Sequence, residues 1–97
     1  MASFAVLGNF TEQGMAEIKG VADRIEGVKQ AVQDAGGRMI FFYLTLGRYD
    51  FVSVIEVPSA EAAAGVLLAA GARGTVRTET LQAFTEEETA AIAAALP

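Results

Sequence analysis

The sequence predicts an α+β domain in which a four-stranded antiparallel sheet carries two helices on one face, with a further helix at the C-terminus. Four short segments rich in β-branched and aromatic residues are interleaved with two helix-length segments, in the order β-α-β-β-α-β. Glycine or proline marks most of the breaks between them. Because 97 residues leave no room for a second hydrophobic core, residues 1–97 are expected to form a single domain.

The first two elements follow from length and periodicity. Ser3–Phe10 is a short apolar run that ends in the turn-like sequence NFTEQG, which favours a strand. From about Glu12 to Ala35 a single helix is predicted, capped by Thr11 and stopped by Gly36-Gly37. Its apolar stripe recurs every three or four residues and comprises Met15, Ile18, Ala22, Ile25, Val28 and Val32.

The middle of the chain predicts a β-hairpin. RMIFFYLTL, residues 38–46, and YDFVSVIEV, residues 49–57, are two strands with Gly47-Arg48 between them. A two-residue turn fits this spacing, because glycine supplies the positive φ that such turns need. Pairing about that turn places Thr45 opposite Asp50 and Tyr43 opposite Val52.

The last three elements carry clear start signals. Ser59 is a plausible N-cap for a helix through about Ala72, and the alternating, threonine-rich Thr75–Phe84 reads as the fourth strand. Thr85 and Glu88 stand at capping-box spacing before an alanine-rich helix. The whole order is the ferredoxin-like, split β-α-β arrangement.

Strand register divides the hairpin into two faces. The face that the helices should cover collects Ile40, Phe42, Leu44, Leu46, Tyr49, Phe51, Ser53 and Ile55. The opposite face, called the second face below, collects Met39, Phe41, Tyr43, Thr45, Asp50, Val52, Val54 and Glu56. Much of the second face is apolar or aromatic, and leaving it in water is costly at about 25 cal/mol per Å². We therefore expect the C-terminal helix to cover part of it and a second subunit to cover the rest, most simply in a two-fold homodimer.

Composition excludes several classes of function. The chain has no cysteine and no histidine, which rules out thiol nucleophiles, zinc-thiolate sites and the commonest general base. No dense acidic loop suggests a metal site, and no cofactor is expected. The net charge of −5, without a basic run, disfavours nucleic acid. The first residues lack a signal-peptide pattern and the apolar run Ala62–Ala72 is about half a membrane span, so a cytoplasmic protein without membrane partners is expected.

Three motifs in order resemble the GYD domain family. They are LGNFTEQG near the start, LGRYDFV in the hairpin and VRTETLQAFTEEE near the end. Gly47, Tyr49 and Asp50 match the Gly-x-Tyr-Asp turn that names the family, with Arg48 in the variable place. The resemblance implies a small bacterial cytosolic protein of the dimeric α/β-barrel type, and it brings no catalytic residues with it.

The candidate site centres on the Arg48-Tyr49-Asp50 segment. In the structural interpretation Asp50 accepts turn hydrogen bonds, Tyr49 packs over the first helix and Arg48 lies in solvent. In the functional interpretation Asp50 lies on the second face beside Thr45 and Tyr43 and serves as a base or ligand acceptor.

Two further polar residues are candidates for the same ligand site. Asn9 ends the first strand and lines the same end of the sheet, or else bonds to backbone. Arg77 meets an anion or forms an exposed ion pair, and its face of the sheet is ambiguous. The GARG segment, with Arg73, has the composition of an anion-binding nest, although glycines at a helix exit are usually caps.

Three functional hypotheses remain open from the sequence. The first is an oligomeric small-molecule-binding or regulatory module, favoured because few residues of the sequence are suited to catalysis. The second is a cofactor-free enzyme acting on an aromatic or enol substrate, with Asp50 and Tyr43 carrying acid-base chemistry; it rests on fold-level analogy. The third is a purely structural oligomer.

Overall fold

The computed structural model describes all 97 residues. The elements are β1 Ala2–Phe10, α1 Glu12–Ala16, a 3₁₀ turn Ile18–Gly20, α2 Val21–Asp34, β2 Arg38–Leu44, β3 Phe51–Val57, α3 Ala60–Ala72, β4 Val76–Ala83 and α4 Glu86–Ala94. The predicted order β-α-β-β-α-β followed by a helix is confirmed. The four strands form one antiparallel sheet with the order β2-β3-β1-β4.

Helices α2 and α3 cover one face of the sheet and form the core with it. Val32 of α2 and Val57 of β3 have no exposed surface. The buried cluster around them consists of Phe4, Val32, Ile55, Val57, Ala63 and Val66. None of the helices combines the length and apolar character that crossing a bilayer requires.

The prediction of one continuous helix over residues 12–35 is wrong. The chain leaves α-helical geometry at Glu17, whose φ of −109° and ψ of 27° separate α1 from the 3₁₀ turn. The Arg24 guanidinium donates to the Glu17 carbonyl at 2.7 Å and to the Gly14 carbonyl at 3.2 Å, and so satisfies acceptors that the break releases. The break also changes the helical phase, which leaves Met15 of the predicted apolar stripe 54% exposed.

The predicted helix caps are confirmed. The side chain of Thr11 accepts a hydrogen bond from the Gly14 amide, and that of Ser59 accepts one from the Ala62 amide. Thr85 and Glu88 form the reciprocal capping box at the start of α4.

The hairpin has the predicted register but a longer loop than predicted. Tyr43 pairs with Val52, and the Thr45 amide donates to the Asp50 carbonyl at 2.8 Å. The two-residue turn is wrong, because the strand ladder ends at Leu44 and Phe51, and residues 45–50 form the connection. Gly47 has a φ of +123°, as the need for positive φ predicts.

A β-bulge corrects the predicted face of Met39. The register of β2 against β3 shifts between Met39 and Phe41, so that Met39 pairs with Ile55. The extra residue, Ile40, reverses the alternation of side chains on its N-terminal side. Met39 therefore packs against the core on the helix-covered face, and Ile40 does not belong to that core.

The C-terminal helix does not cover the second face as predicted. Every residue of α4 except Glu88 is exposed, including Ile92 at 50%. The molecule is elongated, with principal extents of 52 × 30 × 17 Å. Its smallest extent fits two layers, a sheet and its helices, with the second face left open.

The close contact between Gly8 and Phe51 leaves no room for a side chain at residue 8. A Cβ atom at Gly8 would overlap the Phe51 ring, whereas one at Gly65 of α3 meets nothing within 4 Å. We expect Gly8→Ala to lower the free energy of unfolding by about 1–3 kcal/mol through overpacking. Gly65→Ala should raise it by up to about 1 kcal/mol, because alanine favours a helix. Urea unfolding measures both, and equal effects of the two substitutions would contradict this packing.

Candidate functional site

The register of β4 assigns its side chains to the two faces of the sheet. Arg77 pairs with Asn9, and Glu79 pairs with Leu7. Odd-numbered residues of β1 lie on the second face, because its even-numbered residues Phe4 and Val6 are in the core. Arg77 and Glu79 therefore both lie on the second face, which resolves the ambiguity that the sequence leaves.

The centre of the second face is apolar. Phe41 and Tyr43 stack on each other with ring centroids 4.9 Å apart, and Tyr43 is 64% exposed. The other apolar members, contributed by β1, β3 and β4, are Ala5, Leu7, Val52, Val54 and Leu81. None of these side chains is fully buried, so all of them are available to a covering surface.

Two of the predicted ligand-binding residues, Asp50 and Asn9, join the hairpin loop to the end of β1, and a third, Thr45, bonds within the loop. One carboxylate oxygen of Asp50 accepts from the Phe10 amide at 2.9 Å, and the Asn9 side-chain oxygen accepts from the Asp50 amide at 3.2 Å. The Thr45 hydroxyl donates to the Tyr49 carbonyl at 2.7 Å. The structure thus brings Asp50, Asn9 and Thr45 to one end of the sheet, and each bonds to main chain there.

The other two candidates, Tyr43 and Arg77, keep their polar ends free. Tyr43 is exposed on β2 and Arg77 is exposed on β4, and neither donates a side-chain hydrogen bond or pairs with a carboxylate. Because β3 and β1 lie between β2 and β4, these two residues stand on opposite edges of the sheet. A ligand role for the five residues stays a prediction.

The placement of Tyr49 in the helix-covered core is wrong. Its hydroxyl donates to a carboxylate oxygen of Glu79 at 3.0 Å, so the ring reaches across the end of β1 on the second face. The ladder ends at Phe51, and Tyr49 is free of the strict alternation that the prediction assumed. Arg48 lies with its guanidinium carbon 5.8 Å from the centre of the Tyr49 ring, in a cation–π contact.

The contact with Glu79 changes the acidity of Tyr49. The hydrogen bond to the Glu79 carboxylate raises the pKa of the Tyr49 phenol above its ordinary value of 10.0, and desolvation and the negative charge of Glu79 add to this effect. Tyr49 is therefore a neutral donor over the physiological range and has no tendency to act as a phenolate. No three acidic side chains come together in a way that could hold a metal ion.

Sequence reasoning missed a cavity on the opposite, helix-covered side. It lies between the sheet and helices α2 and α3, and Arg24 and Arg73 line it together with apolar residues. Arg24 falls outside the apolar stripe when residues 12–35 are drawn as one helix. Its spacing, three residues after Val21 and four before Val28, places it on the edge of the apolar stripe of α2 and is the signal that would have found it.

The raised pKa of Tyr49 gives a second prediction. The chain contains two tyrosines, so in a Tyr43→Phe background an ultraviolet pH titration reports Tyr49 alone. We expect Glu79→Gln to lower this pKa toward its ordinary value of about 10. A pKa raised in the folded state contributes stability that is complete below the unfolded pKa and is lost as the pH rises through the folded value. If Tyr49 titrates identically with and without Glu79, the hydrogen bond across β1 does not form.

Comparison with solved structures supports the fold. The chain is similar to a crystal structure of a protein from Thermus thermophilus, with a TM-score of 0.54 and 23% sequence identity. The superposition covers 88% of this chain and 95% of that one. At this identity the likeness concerns the α+β fold alone.

Comparison of sequences identifies the family. The chain is 38% identical over 85 residues to a Thermus thermophilus protein named "Glutamine synthetase and cystathionine beta-lyase binding protein", and the match covers 87% of this chain and 90% of the relative. The model of the GYD domain matches residues 4–93, nearly the whole length. The resemblance carried by the three motifs is thus confirmed, and the chain belongs to the GYD domain family.

Proposed function

We propose that this protein is a homo-oligomeric binding or regulatory module and that its open second face is the surface where two copies meet. Two ferredoxin-like sheets stacked in this way would form the dimeric α/β-barrel type of assembly. The single observation that carries the proposal is the apolar second face, which no element of the chain covers.

The solvent-exposed area of the monomer is larger than its mass predicts, which supports an interface with a second copy. The protein exposes 6309 Å², whereas a compact monomer of 10.1 kDa exposes about 5,300 Å². The excess of about 1,000 Å² is comparable to the roughly 800 Å² that each partner buries in a stable interface. The open sheet face and the exposed helix α4 both contribute to this excess.

The chemistry of the second face is also that of an interface. Its centre is aliphatic and aromatic, while Arg38 and Glu56 form an ion pair of 2.9 Å at one end and Arg77 lies on the edge strand β4. An apolar centre with a charged rim is the usual anatomy of a protein interface. The charged ends would fix the orientation of two copies, and the apolar centre would supply most of the affinity.

Two arguments favour binding over catalysis. The relative at 38% identity is named for binding glutamine synthetase and cystathionine beta-lyase. The Asp50 carboxylate, the candidate best suited to act as a base, already accepts a hydrogen bond from the Phe10 amide. We therefore propose that the oligomer recognises other proteins and that Asp50 serves chiefly to hold the loop.

Val54 provides a test of the dimer. It lies at the centre of the second face on an inner strand, so Val54→Lys would place two unpaired charges in the interface without entering the core. An unpaired buried charge costs about 3–5 kcal/mol, which should weaken self-association at least a hundredfold. Ala64→Lys makes the same charge change on the exposed face of α3 and should leave the dimer intact.

Sedimentation velocity measures the outcome and extends to the binding role. We expect a dimer for the wild type and Ala64→Lys, and a folded monomer for Val54→Lys. Adding glutamine synthetase or cystathionine beta-lyase from the same organism should produce a co-sedimenting boundary with the wild type. A monomeric wild type would contradict the dimer. A mixture in which neither enzyme changes its boundary would contradict the binding role, and turnover of a phenol or enol lost in Asp50→Asn would replace it with the enzyme hypothesis.

A further inference from the structure

An apolar cavity lined in part by two arginine side chains lies on the side of the sheet away from the second face. It occupies about 80 Å³ between the sheet and helices α2 and α3. The aromatic rings of Phe10, Phe42 and Phe51 form one wall, with Phe51 5.0 Å from Phe42 and 5.4 Å from Phe10 between ring centroids. Apolar cavities of this kind stay dry and accept apolar groups.

The side chains of Arg24 and Arg73 also line the cavity. Arg24 donates hydrogen bonds to the carbonyls of Glu17 and Gly14. These bonds fix the position of its guanidinium, which has further N–H donors that they do not use. Arg73 follows α3 and lies over Gly27 of α2, where an added Cβ would be 3.3 Å from its terminal nitrogen. A side chain at Gly27 would crowd this guanidinium.

Neither arginine has a carboxylate partner. The ion pairs of the protein are Lys29 with Glu26 and Arg38 with Glu56. In a chain of net charge −5, two unpaired guanidiniums on one apolar cavity are an unusual concentration of uncompensated positive charge. They would receive an anion whose uncharged part fills the cavity, because guanidinium binds carboxylate by strong, charge-assisted hydrogen bonds.

We propose that this cavity binds a small monocarboxylate with an apolar body, with its carboxylate at Arg73 and Arg24 and its hydrocarbon chain against the phenylalanine wall. An apolar cavity of about 150 Å³ holds benzene, so 80 Å³ accommodates a chain of about four carbon atoms beyond the arginine side chains. Hexanoate has this size. The site is separate from the second face, and its occupancy does not depend on self-association.

The charge requirement is tested by titrating the protein with hexanoate, hexanol and hexylammonium while recording amide NMR shifts. We expect hexanoate to bind at least about tenfold more tightly than hexanol, as one charge-assisted hydrogen bond allows, and hexylammonium to be rejected. Arg73→Gln should abolish the preference for hexanoate. Arg77→Gln removes the same charge from the second face and should preserve it. Equal binding of hexanoate and hexanol to the wild type, or an unchanged preference in Arg73→Gln, would overturn the proposal.

The location is tested by filling the cavity. Ala70 of α3 lines it and the neighbouring Ala69 is exposed, so Ala70→Leu and Ala69→Leu form a matched pair. We expect Ala70→Leu to weaken hexanoate binding at least about tenfold and Ala69→Leu to leave it unchanged. Equal affinities of the two variants, or the absence of any saturable shift in the wild type, would overturn the site.

Chain length distinguishes a small acid from a lipid acyl chain. Each further buried CH₂ group is worth about fourfold in affinity. In a cavity of this size the affinity should level off beyond about six carbons, so dodecanoate should bind no more tightly than hexanoate. A continued fourfold rise per carbon would contradict a small acid and identify a long acyl chain as the occupant.

Discussion

A sheet with helices on only one face is the constraint from which the rest of this protein follows. Helices α2 and α3 bury Val32, Val57 and their neighbours, but no element of the chain covers the second face. Helix α4, capped at Thr85 and exposed along nearly its whole length, does not fold back over it. The monomer is therefore only 17 Å thick in its smallest extent, and its surface is about one-fifth larger than its mass requires.

The family motif is explained mainly by how it joins the hairpin to β1. The Asp50 carboxylate and amide bond to main chain and to Asn9 at the end of β1, while the adjacent Phe51 ring covers Gly8. Gly8 lacks a side chain because the ring occupies that space. Loop, strand and aromatic wall are thus one packed unit, and it stands between the second face and the arginine-lined cavity.

Local signals in the sequence predict the elements, the caps and the hairpin register, because each depends on a few neighbouring residues. Three features depend on tertiary contacts and were missed. The break at Glu17 is satisfied by Arg24 seven residues later, the bulge at Ile40 moves Met39 into the core, and Tyr49 finds Glu79 across β1. The cavity was missed for the same reason, since its lining residues belong to α2, α3 and the sheet and meet only once these elements are packed.

Self-association through the second face is tested most directly by an isotope-filtered NOE measurement on a mixture of labelled and unlabelled chains. Methyl groups of Leu7, Val52 and Val54 lie at the centre of the second face and far from the helices. Self-association through the second face predicts NOEs between copies from these methyl groups. Intermolecular NOEs confined to the methyl groups of α2 and α3, or no intermolecular NOEs at all, would contradict it.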